Sequence, residues 1–364
     1  EKTKNVVYLE DGEIAKLTNS SAEFFDSNLK KIKKEISVIN WDIAAAEKSG
    51  YEHFMLKEIF EQPKAILNTI HPRIKDGKVF FENLKLTNEQ IKNINRIVIT
   101  ACGSAYHAGV VAKYFYEEIL RIPTEVELAS EFRYKNPIIN KNTLVIIISQ
   151  SGETADTLAA LKEAKEKGAH ILSIVNVVGS SIAKASDDVL YTYAGPEIAV
   201  ATTKGYTTQL TMLYLFGIYC AFILQSFDAT KLSELLNELN EIPNKVEEIF
   251  KQSEKIKELA FRFSNNDSVF FIGRNMDFAV ALEASLKLKE ISYIHSESYP
   301  SGELKHGTIS LITDGMPVIA VATQNALYDK TVSNIKEVKA RGADIIGIGA
   351  TDDEDLLLKS DYTF

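Results

Sequence analysis

The chain has 364 residues, of which 45% are apolar and 25% charged, as is usual for a globular protein, and its length predicts two domains. The 41 Lys and Arg against 50 Asp and Glu give a formal net charge of -9, which argues against a nucleic-acid binder with a strongly basic surface. The two cysteines, Cys102 and Cys220, exclude a disulfide framework and a cysteine-based zinc site, and they fit a reducing compartment.

The first forty residues are short, mixed and charged. Residues 6–9 predict a strand, and the Lys-rich run at residues 30–34 is more typical of a solvated surface than of a binding patch. A helical pattern begins at Trp41, and Pro63 is expected to begin or break a helix. The start shows no apolar signal core, and the most apolar stretch, residues 210–224, is shorter than the roughly 20 residues of a membrane span. We therefore expect a buried core helix there and no membrane contact.

Strand and helix patterns alternate through the rest of the chain. Three apolar runs separated by helical stretches occupy residues 96–100, 143–148 and 170–175. The same order returns in residues 268–272, 317–322 and 345–349. Continuous Val and Ile runs between helices indicate parallel strands covered on both faces. We therefore predict an α/β protein of two tandem domains of one kind, joined by a polar helical segment at residues 228–259 that contains Pro243.

Polar side chains follow the second apolar run at residues 149–154, Ser-Gln-Ser-Gly-Glu-Thr. In an open parallel sheet ligands bind at the carboxyl ends of the strands, and a helix N-terminus at that edge suits a phosphate. Ser149, Gln150, Ser151 and Thr154 add neutral hydrogen-bonding groups, and Gly152 lets the backbone come close to a ligand. A plain helix cap is the alternative, but the density of polar side chains favours a ligand site.

The turn Cys102-Gly103-Ser104 ends the first apolar run at the equivalent edge. Ser104 could add a phosphate contact, although a structural turn explains it equally well. The turn lacks the three-glycine spacing of a dinucleotide-binding loop. Cys102 is more often a small buried thiol than a nucleophile, and we interpret His107 as a packing or surface residue.

Three charged residues share one face of the helix predicted at residues 281–290. Glu283, Lys287 and Glu290 stand at i, i+4 and i+7, whereas Lys289 points elsewhere. The spacing alone favours a surface helix with ion pairs. A carboxylate beside a cation can also be a tuned general base in a cleft.

A loop rich in Pro and Gly is predicted at residues 298–307, next to that helix. It contains His306, whose imidazole can transfer protons near neutral pH. A single loop histidine is often incidental, and the neighbouring charged helix makes the catalytic and incidental interpretations equally plausible.

These segments together resemble a known family. Residues 51–59, 149–157, 286–294 and 302–307 are similar to those of glutamine–fructose-6-phosphate aminotransferases (isomerising), the glucosamine-6-phosphate synthase family. The resemblance covers nearly the whole chain, and residues 149–154 alone would indicate only the wider sugar-isomerase (SIS) superfamily. It implies two tandem SIS domains, each a parallel sheet flanked by helices in a flavodoxin-like three-layer αβα arrangement.

The resemblance also implies a division of the chain. Residues 1–40 would be a remnant of the family's glutaminase domain and a linker, residues 41–240 the first SIS domain with its N-terminal helices, and residues 241–364 the second SIS domain. In this family a C-terminal tail carries a lysine that forms a Schiff base with the substrate carbonyl. That tail would follow Phe364, and a chain that truly lacked it is expected to have little synthase activity.

The activity implied by the resemblance is the conversion of fructose 6-phosphate and glutamine-derived ammonia into glucosamine 6-phosphate. A cytoplasmic homodimer would perform it without metal, cofactor, nucleic acid or membrane. Residues carried over by position hold the sugar phosphate: Ser149, Gln150, Ser151, Thr154 and Ser104. Others line the substrate pocket: Cys102, Gly103, Val200 and Ala201.

The same resemblance implies the catalytic roles. Glu290 moves the proton between C1 and C2, Lys287 and Glu283 support the sugar hydroxyls and the charge on that face, and His306 opens the sugar ring from the neighbouring subunit. The chain departs from the family at one point. A Thr-Ser pair is usual after Cys-Gly, whereas Ser104 and Ala105 stand here, so one hydroxyl for the phosphate is missing.

Two alternative functions fit parts of the pattern. A non-catalytic regulatory module would bind sugar phosphates through residues 149–154 but would not need Glu290 with His306. A deglycase-type SIS enzyme would act on amino-sugar adducts, and residues 51–59 together with the glutaminase remnant argue against it.

Overall fold

The computed structural model describes residues 5–10, 12–38, 47–350 and 354–364. The predicted helical start at Trp41 and the predicted boundary at residue 40 lie outside the described residues. The chain forms two compact units, Glu1–Lys57 and Glu58–Phe364, which are described separately. The domain bounds at residues 40 and 240 stay predictions.

The first unit contains short antiparallel strands. Strand β1 (Asn5–Val6) pairs with β5 (Ser37–Val38), and β2 (Ile14–Leu17), β3 (Ala22–Phe25) and β4 (Lys31–Ile32) form a three-stranded sheet. The Lys-rich run forms ion pairs: Lys31 of β4 pairs with Glu23 of β3, and Lys34, beyond β4, pairs with Glu13. Helix α1 (Phe54–Phe60) follows and contains the boundary, so that Glu58 and the rest of its last turn belong to the second unit.

The second unit opens with small elements that precede its first large sheet. They are α2 (Gln62–Ile70), a 3-10 turn (His71–Arg73), β6 (Ile74–Lys75), β7 (Lys78–Val79) and α3 (Asn88–Asn93). Pro63 stands in the first turn of α2, where its missing N–H costs no hydrogen bond, so the prediction that it begins a helix is confirmed.

Five parallel strands form the first large sheet in the order β12-β11-β10-β8-β9. The strands are β8 (Arg96–Ala101), β9 (Thr124–Leu128), β10 (Thr143–Ser149), β11 (His170–Val175) and β12 (Asp188–Tyr191). Helices cover both faces: α4 (Gly103–Ile119), α5 (Ala129–Phe132), α6 (Ala155–Glu166), α7 (Ser181–Ala185) and α8 (Lys204–Leu224). All seven residues of β10 are buried, as expected for a central parallel strand.

Two helices, α9 (Ala229–Phe250) and α10 (Ser253–Phe263), connect this sheet to the second one. Pro243 lies inside α9. The second sheet contains β13 (Ser268–Gly273), β14 (His295–Pro300), β15 (Pro317–Val321), β16 (Asp344–Ile348) and β17 (Tyr362–Thr363). Its helices are α11 (Met276–Ser292), α12 (Tyr328–Lys339) and α13 (Glu354–Lys359), with 3-10 turns at Leu304–His306, Thr308–Leu311 and Asn325–Leu327.

The two sheets have the same topology. The second runs β14-β13-β15-β16-β17, so in both sheets the strands, counted along the chain, lie in the order 2-1-3-4-5 of flavodoxin-like folds. The prediction of two tandem α/β domains of one kind is therefore confirmed.

The sequence patterns missed strands at the sheet edges. Strand β9 alternates Glu with apolar residues and stays partly exposed, so it lacks the continuous apolar run of a central strand. The loop predicted at residues 298–307 is wrong for residues 298–300, which belong to β14. This edge strand has only one buried position, which explains why it does not read as a strand.

Helix α8 is the one helix of the described residues that is long and apolar enough to cross a membrane. Most of its most apolar window, 61%, is buried inside the protein, which is typical of a core helix. The prediction of a buried core helix at residues 210–224 is confirmed.

Candidate active site

The candidate site lies at the carboxyl edge of the first sheet. Strands β8 and β10 are neighbours there, and the chain leaves them in opposite directions along the sheet. Such a reversal of strand order opens a crevice at the carboxyl ends of the two strands. The turn that contains Ser104 follows β8, and residues 149–154 follow β10.

The hydroxyl-bearing residues of the second loop face one another. Ser149 Oγ lies 3.0 Å from Thr154 Oγ1 and accepts a hydrogen bond of 3.1 Å from the Gly152 N–H. Ser151 Oγ accepts a hydrogen bond of 3.2 Å from the Glu153 N–H. Thr154 is the residue before α6 but makes no capping bond with its side chain. The plain-cap interpretation therefore does not explain this hydroxyl, which points to Ser149 instead.

Gly152 has a shape requirement in this loop. Its φ is +68°, and a Cβ placed on it would lie 2.0 Å from Ser180 Oγ and 2.5 Å from Ser180 Cβ. Its carbonyl accepts a hydrogen bond of 3.0 Å from the Ile182 N–H, which holds the loop against the start of α7. A side chain at this position would need both a left-handed backbone and the space that Ser180 fills.

The turn after β8 provides the opposite side of the crevice. Cys102 precedes α4, Gly103 has a φ of +56°, and Ser104 is buried in the first turn of the helix. The Cys102 thiol is half-buried and lies 3.6 Å from the Thr157 hydroxyl of α6, so it connects the two loops.

The charged residues of α11 form a row from the interior to the surface. Lys287 Nζ lies 3.5 Å from Glu283 Oε1 and 2.5 Å from Glu290 Oε2. Side-chain exposure rises from 6% at Glu283 through 18% at Lys287 to 37% at Glu290. Glu283 does not lie on the surface, so the surface-helix interpretation is wrong for this residue. A buried carboxylate needs partners that replace its hydration.

His107 supplies one of those partners. Its Nδ1 lies 2.8 Å from Glu283 Oε2, although the two residues are 176 positions apart in the chain. The surface alternative for His107 is therefore wrong, and its packing includes a charged partner that the sequence did not indicate. Ser104 stands one helical turn before His107 on α4, so this helix connects the hydroxyl-lined edge of the first sheet to the charged row of α11.

Among the buried polar atoms of the described residues that have no hydrogen-bond partner, five belong to the loop after β10, to Ser180 beside it and to the start of α8: Gln150 Nε2, Ser180 Oγ, Thr203 Oγ1, Tyr206 Oη and Gln209 Oε1. Each such atom costs about 1–3 kcal/mol when nothing pairs with it. These groups could pair with a polar ligand. Burial, and after it the charge of Glu283, raises the pKa of Tyr206, so its hydroxyl remains a donor at all ordinary pH values.

The remaining site candidates lie on two irregular segments. Val200 is fully exposed and Ala201 half-buried, just before α8 begins. His306 is exposed in a 3-10 turn, and no hydrogen bond or ion pair joins it to the charged row within the described part of the chain. The described residues also contain no group of three or more His, Cys, Asp or Glu side chains that could hold a metal ion.

In the second sheet a side chain fills the equivalent crevice. The Asp277 carboxylate is buried and accepts hydrogen bonds from the Thr323 N–H at 3.1 Å and the Thr323 hydroxyl at 2.5 Å. When β13 is aligned with β8 from their first residues, Asp277 falls at the position of Ala105, and the pairing of each strand with its neighbour places Thr323 at the position of Gln150. A carboxylate of the chain itself thus lies at the carboxyl edge of the second sheet, which favours the first sheet as the anion site.

The chain is similar to known proteins over most of its length. The family model described as SIS domain matches residues 90–219 and 262–364. The glutamine–fructose-6-phosphate aminotransferase [isomerizing] of Clostridium acetobutylicum is 53% identical over 349 residues, which are 96% of this chain and 57% of that protein. The protein of the same name from Caldanaerobacter subterraneus is 54% identical over 345 residues, which are 94% of this chain and 57% of that protein.

A solved structure gives the same result. The C-terminal domain of glucosamine-fructose-6-phosphate aminotransferase from Francisella tularensis matches with a TM-score of 0.81 and 42% identity, covering 83% of this chain and 85% of that one. The chain spans little more than half the length of the curated relatives that it matches.

Proposed function

The chain belongs to the SIS-domain family of glutamine–fructose-6-phosphate aminotransferases, and we propose that it is the part of such an enzyme that converts fructose 6-phosphate and ammonia into glucosamine 6-phosphate. The observation that carries this proposal is the 2.8 Å contact between His107 and Glu283. This contact connects the sheet edge that suits a phosphate with the row of two carboxylates and a lysine. An aldose–ketose shift needs both an anchor for the phosphate and a group that transfers a proton.

In this proposal the phosphate binds at the first turn of α6. The Ser149 and Thr154 hydroxyls, 3.0 Å apart, turn their hydrogen atoms to its oxygens, and Ser151, Gln150 and Ser104 complete the ring of donors. The free N–H groups and the positive end of the helix dipole add to the attraction. With Ala105 beside Ser104, the site has one hydroxyl fewer than is usual in the family, and we expect correspondingly weaker phosphate binding.

The proton transfer is assigned to the charged row. Ammonia adds to the C2 carbonyl, and the C2 oxygen leaves as water to give an imine. Glu290, at the exposed end, takes a proton from C1 of the sugar and returns it to C2, so that C2 becomes the amine-bearing carbon and C1 the aldehyde carbon of an aldose. Lys287 lies between both carboxylates and balances the charge that develops on the sugar oxygen. Glu283, held by His107, fixes Lys287 in place. Cys102, Gly103, Val200 and Ala201 would line the rest of the pocket.

The direct test supplies fructose 6-phosphate and an ammonium salt to the full-length protein that contains this chain. We expect glucosamine 6-phosphate as the product, detected by mass spectrometry. Binding of fructose 6-phosphate without any product would favour the regulatory module, and turnover of amino-sugar adducts alone would favour the deglycase. Either result would contradict the proposal.

We also propose that ammonia comes from a glutaminase domain of the same protein and that the enzyme works in the cytoplasm, where its two free thiols remain reduced. His306 is assigned to ring opening in the site of a neighbouring subunit. Its exposure, and the lack of any hydrogen bond or ion pair from it to the row in the described residues, support this cross-subunit role.

Mixing two inactive variants tests the homodimer. If His306 acts across the interface, a Glu290→Gln chain and a His306→Ala chain form mixed dimers with one intact site. After unfolding and refolding a 1:1 mixture, we expect about a quarter of the activity of the unmodified protein, because half of the dimers are mixed and each has one working site. Either variant refolded alone is the control. Activity no higher than in the controls would contradict the cross-subunit role.

A further inference from the structure

Residues 196–203, here called the pocket segment, contain Val200 and Ala201 and have neither helix nor strand. The segment connects the end of the first sheet to the start of α8. Loops of this kind have few contacts to fix their shape, and a substrate pocket needs a fixed shape. The side chains that hold the pocket segment in place therefore affect the shape of the proposed pocket.

One carboxylate that holds the segment, that of Glu197, belongs to the segment itself. Glu197 accepts hydrogen bonds from the Thr202 hydroxyl at 2.8 Å, the Thr203 N–H at 2.9 Å and the Gly205 N–H at 3.0 Å. It therefore ties the beginning of the segment to the first turn of α8, where a negative charge also suits the helix dipole.

A second carboxylate that holds the segment, that of Glu58, comes from a distant part of the chain. Glu58 of α1 accepts hydrogen bonds from the Ile198 N–H at 2.6 Å and the Ala199 N–H at 3.2 Å. Glu58 is only 2% exposed, and its second oxygen has no hydrogen-bond partner among the described residues. It lies 140 positions upstream and outside both matched SIS regions, within the stretch 51–59 that had no assigned role.

A third carboxylate holds the residue that follows the segment. Glu61 Oε2 lies 2.7 Å from Lys204 Nζ, and Lys204 is 3% exposed at the start of α8. Glu58 and Glu61 are three residues apart, so they bind the chain within the segment, at residues 198–199, and directly after it, at residue 204. A buried lysine left without its carboxylate would strongly favour another arrangement of the segment.

The start of α8, which directly follows the pocket segment, packs against Gln150. A Cβ on Gly205 would lie 2.7 Å from Gln150 Cδ and 2.5 Å from Glu197 Oε2, so the backbone of α8 approaches the amide of Gln150 closely. Gln209, one turn further along α8, lies 3.4 Å from the Gln150 amide oxygen. The carboxylates that hold the pocket segment and Lys204 thus act on the part of the chain that contacts a residue of the proposed phosphate site.

We propose that Glu58 and Glu61 are positioning residues that fix the pocket segment and the start of α8 beside Gln150, so that Glu58, within the stretch 51–59, has a role in sugar-phosphate binding. This inference rests on the proposed function for the identity of the ligand, fructose 6-phosphate. A single oxygen of Glu58 accepts both backbone hydrogen bonds, and a Gln side chain of the same length carries such an oxygen. An amide oxygen at this position is therefore expected to hold the segment as the carboxylate does.

The experiment compares Glu58→Ala, Glu58→Gln and, as a matched control, Glu82→Ala, whose side chain is exposed. Amide hydrogen exchange is followed in the full-length protein without ligand. In Glu58→Ala we expect exchange in the peptide 197–203 to rise about tenfold or more, with residues 143–149 unchanged. In the kinetic assay, KM for fructose 6-phosphate should rise about tenfold while kcat changes by less than about threefold. Glu58→Gln should restore both values.

Unchanged exchange in residues 197–203 of a folded Glu58→Ala protein would overturn the inference, as would a KM equal to that of the Glu82→Ala control. If Glu58→Ala does not fold, Glu58→Asp takes its place, because the shorter side chain withdraws the carboxylate from both N–H groups. Should the unmodified protein show no turnover, the proposed function fails, while the exchange measurement still decides the positioning role on its own.

Discussion

Replacing Glu290 by Gln is expected to lower kcat for glucosamine 6-phosphate formation by about 10²- to 10⁴-fold, the usual contribution of a general base. The amide has the same shape and can still accept a hydrogen bond from Lys287, which lies 2.5 Å away in the native row, but it cannot take a proton. Because Glu290 lies at the exposed end of the row, apart from the hydroxyls of the phosphate site, KM should change by less than about threefold.

The matched control is Lys289→Gln, a change of one charge on the same helix at an exposed residue outside the row. It should leave kcat within about twofold of the native value. The measurement is initial rate against fructose 6-phosphate concentration at saturating ammonium. A Glu290→Gln protein with near-native kcat would remove Glu290 from the mechanism. An equal loss in the control would show that the assay reports a general disturbance of α11.

The central strands could be predicted because burial on both faces dictates their composition. Strand β10 is buried at every position, and its run of Val and Ile is visible in the sequence without knowledge of its neighbours. Edge strands have no such signal. In β14, His, Ser and Glu are acceptable because one side of the strand has no partner, so its existence depends on pairing with β13 and not on its own residues.

The candidate site divides in the same way. The loop at residues 149–154 is local, and the order of a buried strand, a glycine and hydroxyls predicts it directly. The contact of His107 with Glu283 is not local, because it joins residues 176 positions apart on helices of two repeats. Nothing in the spacing around His107 indicates that partner. The hydrogen bonds of Glu58 to the pocket segment were missed for the same reason.

One difference between the two repeats distinguishes their crevices, but it is not apparent from the sequence alone. Asp277 occupies the position equivalent to Ala105, so the acidic residue at the start of α11 marks the crevice that the chain fills by itself. The apolar runs predict that the chain contains two repeats, but they do not align the repeats residue by residue, because that alignment depends on which strands pair and in what register.

Replacing Gly152 by Ala is expected to destabilise the protein by about 2–5 kcal/mol and to weaken fructose 6-phosphate binding by about tenfold or more. The backbone at φ +68° strains any L-residue, and the new Cβ would lie 2.0 Å from Ser180 Oγ. The loop can relieve that overlap only by moving away from α7. This movement also displaces the Gly152 N–H, which donates a hydrogen bond to Ser149 Oγ. Chemical denaturation and calorimetric titration with fructose 6-phosphate measure the two effects.

Gly168→Ala is the matched control, because Gly168 also has a positive φ, +88°, but no atom within 4 Å of its Cβ position. It should cost only the backbone strain, about 1–2 kcal/mol, and leave binding unchanged. Removing the obstacle in the double variant Gly152→Ala with Ser180→Gly should recover the part of the loss due to overlap, since the next neighbour, Val175 Cγ1, lies at an ordinary 3.6 Å. If the single variant binds as the native protein does, the loop does not hold the phosphate. If the double variant recovers stability without binding, the Ser180 side chain is itself needed by the ligand, which its unpartnered buried hydroxyl would then explain.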